Sequence, residues 1–323
     1  MLISGCNSAF RDHTSAIRPQ VLKTPEGTYE HVAWLDASLI AFVYAPKFEP
    51  RSFDYQIGLY SLDQQEMMII SAPLPNHCYA GEVLWTNRLP DGNLGLVNEC
   101  KVVNDGNFYV ENTLYLWEKR SNEFHALQKY EQNFHATDYT FSPDLSQLIQ
   151  ARLSNKIYRV ANDGTLTQLF IDYARVASPS WSPNGETVAF ACTKAISEPP
   201  ISIIAPNPTD VAYPWDLCLM NADGTNTRVI FSGIKFLAFV KWSPMGRWIA
   251  FRGEYQGLDG IWVLDTQTSQ LARIWADQSF YDWSPDGKQM VIIKRTKRLE
   301  VDGIKRTQPV IIDLPTELYE SAK

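Results

Sequence analysis

Apolar and polar residues alternate along this chain in short runs rather than in the broad stripes of helices. Thr187-Val188-Ala189-Phe190-Ala191-Cys192, Ile157-Tyr158-Arg159-Val160 and Leu217-Cys218-Leu219-Met220 are examples. Each run is rich in β-branched, aromatic or aliphatic residues and is bounded by Ser, Pro, Asn, Asp or Gly, which predicts strands joined by tight turns.

The turns repeat. Phe141-Ser142-Pro143-Asp144, Trp181-Ser182-Pro183-Asn184-Gly185, Trp242-Ser243-Pro244-Met245-Gly246 and Trp283-Ser284-Pro285-Asp286-Gly287 are copies of one motif, with aromatics spaced 40, 61 and 41 residues apart. The long interval holds a Pro-rich insertion at 195–214, and removing it restores the period. Two weaker copies begin at Trp34 and Trp85, making six units. In the motif Pro presets φ at the first central position of the turn, Asp or Asn tolerates the second, and Gly takes positive φ. A second half recurs in each unit: Ile57 to Leu62, Leu114 to Trp117, Ile157 to Val160, Leu217 to Met220, Ile261 to Asp265 and Val310 to Leu314.

Each unit therefore reads as four strands, A to D, with the motif as the A–B turn. Four strands in about 40 residues, repeated, is the pattern of a propeller blade. The predicted fold is all-β: a six-bladed β-propeller of four antiparallel strands per blade. Residues 1–19 are expected to be an N-terminal tether and 20–323 the propeller. The segment Ile17 to Leu22 is expected to pair into the last blade and close the ring, with Glu317 to Tyr319 as a short last strand. Trp181 is expected to pack between blades, on the face opposite the binding surface.

The motif, the Ile/Val-Ala-Phe strand and the Asp-Gly turn together resemble the TolB-like, WD-like repeat propellers. The resemblance covers Trp34 to about Leu318. It implies a non-enzymatic scaffold outside the cytoplasm that engages a protein or peptide partner.

Composition adjusts this picture at a few points. A net charge of −7 argues against general nucleic-acid binding, which needs a basic surface. No run of 18 apolar residues encodes a membrane helix. Ile3-Ser4-Gly5-Cys6 resembles a bacterial lipobox, so Cys6 is a candidate for lipidation, the only membrane contact expected of a monomeric chain. The expected compartment is then periplasmic or cell-surface, with the cytoplasm as the alternative. Cys192 and Cys218 fall on adjacent strands of blade 4 and could form a disulfide if their side chains face; Cys78 with Cys100 is a second pairing.

Two candidate sites follow from the topology. The B–C connections look long and varied, and loops on a rigid scaffold commonly carry binding. Phe48, Arg51, Phe53, Phe108, Tyr109, Tyr213 and Trp215 are the candidate partner contacts. The same face receives the starts of the A strands, where His31, His77, His135, Arg175, Lys235 and Asp277 fall. His31, His77, His135, Arg175 and Asp277 are the candidate ligand residues at the channel mouth. The alternative function is accordingly a carbohydrate-active or metal-dependent enzyme, or a sugar-binding protein, at that mouth. Unequal spacing of the three histidines from their aromatics speaks against a metal, and no cofactor is expected. Gly-x-Ser-x-Gly, HExxH and P-loop motifs are absent.

Overall fold

A computed structural model describes residues 10–46, 56–71, 80–89, 91–104, 107–131, 136–152, 156–161, 165–169, 172–194, 214–296 and 307–319. Six antiparallel sheets follow one another along the chain, as the repeat predicts. Blade 1 contains Thr28–Trp34, Leu39–Ala45, Gln56–Ser61 and Glu66–Ser71; blade 2, Ala80–Arg88, Leu94–Asn104, Asn107–Glu118 and Glu123–Glu131. Blade 3 contains Ala136–Phe141, Leu148–Arg152, Lys156–Val160 and Leu166–Leu169; blade 4, Arg175–Trp181, Thr187–Thr193, Trp215–Asn221 and Arg228–Ile234. Blade 5 contains Phe236–Trp242, Trp248–Tyr255, Leu258–Asp265 and Leu271–Trp275. Blade 6 takes only Tyr281–Trp283, Gln289–Arg295 and Thr307–Asp313 from the C-terminal part.

The motif forms the same turn four times. The residue after the aromatic, Ser142, Ser182, Ser243 or Ser284, is buried, and its backbone N–H donates across the turn to residue 147, 187, 248 or 289. The serine hydroxyl accepts the returning N–H of that same residue at 2.9–3.2 Å. Gly185, Gly246 and Gly287 take φ of 71 to 73°. In blade 3 Leu145 stands at that place with φ of 59°, a conformation costly for a side chain with a Cβ.

Packing lies between blades, not within them. A blade buries both faces, and in blades 1, 4 and 5 strand B carries large residues on one side and alanine on the other. In blade 1 Ile40 and Phe42 face blade 6, whereas Ala41 faces blade 2. In blade 5 Ile249 and Phe251 face blade 4, and Ala250 faces blade 6, where Trp283 lies. The alanine leaves room for the next blade's aromatic. Six such clusters, one per seam, make up the core.

The N-terminal segment closes the ring as the sequence predicts. Gln20–Val21 pairs antiparallel with Thr307–Asp313 and supplies the outer strand of blade 6. The expected last strand at Glu317 to Tyr319 is instead a turn of 3-10 helix, Thr316–Leu318, whose Leu318 packs into the seam of blades 5 and 6. An outer strand there would duplicate the one the N-terminus provides. Contact with the ring also begins before residue 20. Arg11–Asp12 pairs in parallel with Leu271–Trp275 as a fifth strand of blade 5. Phe10 stands edge-on to Trp262, 5.0 Å between ring centres.

The expected Cys192–Cys218 disulfide is present, tying strands B and C of blade 4 on either side of the insertion. Cys100 is also disulfide-bonded; Cys78 lies outside the described residues.

Deleting residues 1–25 should lower the melting temperature by about 10 °C or more, since several kcal/mol of seam packing and pairing go with it. Differential scanning calorimetry of the truncated chain checks this, and an unchanged melt would contradict closure by this segment.

Candidate functional site

Strand A is the innermost strand of every blade, so one of its edges has no strand beside it. Backbone N–H groups on that edge need other acceptors. At three seams the residue just before the aromatic supplies one to the next blade. Thr140 Oγ1 accepts from the Trp181 N–H at 3.2 Å, and Ser180 Oγ accepts from the Trp242 N–H at 3.3 Å. Asp282 Oδ2 accepts from the Trp34 N–H at 2.8 Å, across the seam of the last and first blades. At this place in blade 5, Lys241 reaches sideways to Asp282 Oδ1 at 2.9 Å.

These residues line a pocket of about 280 Å³ at the turn end of the axial channel. All six blades contribute to it. Pro143, Pro183 and Pro244 of the A–B turns stand at its rim, and Trp34, Phe141, Trp181, Trp242 and Trp283 form its walls. Thr140, Ser180, Lys241, Asp282 and Arg88 make it polar. The acceptors in this set are engaged. Both oxygens of Asp282, and the oxygens of Thr140 and Ser180, already receive protons. Of the donors, Lys241 is engaged with Asp282, whereas the Arg88 guanidinium and the hydroxyl hydrogens of Thr140 and Ser180 have no acceptor among the described residues.

Two residues earlier along the same strands, rings from three blades meet. His31, Ser178 and Phe239 each stand three residues before their aromatic, on β-bulges with φ of 37, 49 and 54°. Phe280 has the corresponding place in blade 6. The His31 ring lies 4.6 Å from Phe280 and 6.1 Å from Phe239, which belongs to a blade two places away, so these side chains converge on the axis. Arg252 caps the group, 4.3 Å from the centre of Phe239.

The expected site residues are thus distributed differently from the sequence reading. His31 belongs to this group of rings. Arg175 opens strand A of blade 4, six residues of extended chain, or roughly 20 Å, from Trp181 and the pocket. Asp277 accepts from the Ser279 hydroxyl, and Lys235 pairs with Glu254 at 2.9 Å. His77, His135, Phe48, Arg51, Phe53, Tyr213 and Cys6 lie outside the described residues. Phe108 and Tyr109 are not in a loop: strands B and C of blade 2 continue to Asn104 and resume at Asn107. Trp215 begins strand C of blade 4 and packs partly against the seam of blades 4 and 5. Among the described residues no three His, Cys, Asp or Glu side chains come together. The motif, expected to stand away from the binding surface, also borders this pocket. Trp181 is only 6% exposed, as a seam residue should be, yet it and Pro183 line the pocket.

Desolvation, and then the positive charges of Lys241 and Arg252, push the His31 imidazole down to about 3. The unfolded chain takes up that proton near pH 6.5. Stability from neutral His31 is therefore complete above about pH 6.5 and lost as pH falls toward 3. His31→Phe, a residue blade 5 already accommodates at this place, should flatten the acid side of the melting profile relative to wild type. Parallel acid limbs in the two proteins would contradict a buried neutral imidazole.

No protein-family model and no curated protein matches the chain. Solved structures resemble it. TolB from Acinetobacter baumannii is 14% identical, with a TM-score of 0.56 over 80% of this chain and 60% of its own. This chain thus spans less than two thirds of the length of that TolB. A luciferin-regenerating enzyme is 12% identical, with a TM-score of 0.54 over 92% of this chain and 95% of its own. A putative TolB from Agrobacterium tumefaciens is 17% identical, with a TM-score of 0.52 over 80% and 98%. At these identities the likeness is one of fold, and that fold is the TolB-like six-bladed β-propeller.

Proposed function

We propose that this protein is a non-enzymatic binding scaffold outside the cytoplasm, and that it holds a protein or peptide partner over the turn end of its axial channel. The observation that carries this reading is the pocket: all six blades build it, its backbone is held by the inter-blade bonds of the A strands, and its polar groups are short of acceptors. A pocket of this kind is a preformed receptor, which lowers the ordering cost of binding. Exposed Met245 in the blade 5 turn and the prolines around it give the rim an apolar surface for a larger partner. The Cys192–Cys218 disulfide supports an oxidising compartment, and the lipobox-like Cys6 would tether the scaffold to a membrane there.

A photo-crosslinking residue at Met245, on the rim, should capture a discrete partner in the native host. The same residue at Val229, on the outer edge of blade 4, should capture none. Capture from Val229 alone, or from neither position, would contradict binding at the turn end.

A further inference from the structure

The donor and acceptor balance of the pocket carries its ligand chemistry further. We infer that the pocket receives a carboxylate, carried by an acidic residue or chain end of the partner, with Arg88 as its principal recognition group. This rests on the reading of the turn end as the binding site.

The lining contains two cationic side chains and one carboxylate. Lys241 and Asp282 satisfy each other at 2.9 Å, and Asp282 is only 7% exposed. Its second oxygen is held by the Trp34 N–H. That pair is therefore a fixed part of the wall with no net charge. Arg88, at the end of strand A of blade 2, remains as an uncompensated positive charge facing the pocket. A guanidinium presents paired N–H donors that match the two oxygens of a carboxylate.

The neutral groups point the same way. The oxygens of Thr140 and Ser180 are occupied by the backbone N–H groups of Trp181 and Trp242. Each oxygen keeps one further lone pair, and each hydroxyl hydrogen is free to donate to a ligand. A neutral hydroxylated ligand such as a sugar would bring as many donors as acceptors to a lining in which the free N–H and O–H donors, five of them on Arg88, outnumber the remaining lone pairs. A carboxylate brings acceptors only. One net positive charge suits a monoanion better than a doubly charged phosphate. The indole and proline walls would hold the apolar body behind the charged group, within a volume of about 280 Å³.

The test uses the full chain and three small probes: 3-phenylpropanoate, its neutral amide and inorganic phosphate. Binding is followed by tryptophan fluorescence and by the indole N–H signals of protein labelled with nitrogen-15 in tryptophan. The acid should bind about tenfold more tightly than the amide, as a charge-assisted pair at one arginine requires, and more tightly than phosphate. Arg88→Gln should abolish the preference for the acid, Arg88→Lys should retain part of it, and Arg228→Gln on the outer edge of blade 4 should leave it unchanged. Melting temperatures of the variants establish that each is folded. Equal binding of acid and amide, tighter binding of phosphate, no binding of either phenyl probe, or a preference that survives Arg88→Gln would overturn the inference. The site reading fails separately, through the crosslinks at Met245: a partner captured there, with an Arg88→Gln protein that still prefers the acid, removes the carboxylate and leaves the site.

Discussion

The inner edge of strand A is the constraint on which the rest of the structure depends. Six such strands surround the axis, and each has N–H groups with no strand to receive them. Covering that edge with a whole strand would fill the channel. At three of the seams the chain instead uses one side chain from the preceding blade: Thr140 for Trp181, Ser180 for Trp242, Asp282 for Trp34. A hydrogen bond of this kind contributes about 1 kcal/mol, and more when the acceptor is charged. The charged acceptor stands at the seam where the first and last blades meet.

The same geometry makes the pocket. A residue placed to reach sideways to a neighbouring blade also presents its remaining valence to the axis. Thr140 and Ser180 spend their oxygens on the ring and keep their hydrogens for the channel. Asp282 is neutralised by Lys241, so the ring closes without placing a bare negative charge at the axis. Below them, bulges in the A strands turn His31 and Phe239 inward to meet Phe280. The pocket is thus a consequence of how the propeller holds itself together, and the proposed specificity rests on the few lining residues that depart from that role. Arg88 is such a residue.

Much of the architecture could be read from the sequence because it rests on local chemistry. The Trp-Ser-Pro-Asp-Gly turn needs a hydroxyl, a fixed φ and a positive φ at fixed places, and so it is visible four times. The Ala of strand B is visible for a similar reason: it marks where a neighbour's aromatic must fit. The N-terminal strand of blade 6 was legible because an open ring would leave two faces bare. What was not legible depends on direction in space. Nothing local says that Glu317 to Tyr319 would turn into a 3-10 helix once its place was taken, or that strands would run on to Asn104 and Asn107. The pocket did leave a signal: Thr140, Ser180, Lys241 and Asp282 interrupt apolar strands at one position, immediately before the aromatic. The motif's second face was overlooked because its aromatic satisfies a packing role so completely.

Amide hydrogen exchange at the inner strands tests this account most directly. The backbone N–H groups of Trp34, Trp181 and Trp242 lie on strand edges that face no strand. If neighbouring side chains cover them, they should exchange as slowly as amides in the middle of the B strands, such as those of Phe42, Phe190 and Phe251. Exchange at the rate of exposed turn amides would contradict the claim that these contacts both close the ring and shape the pocket.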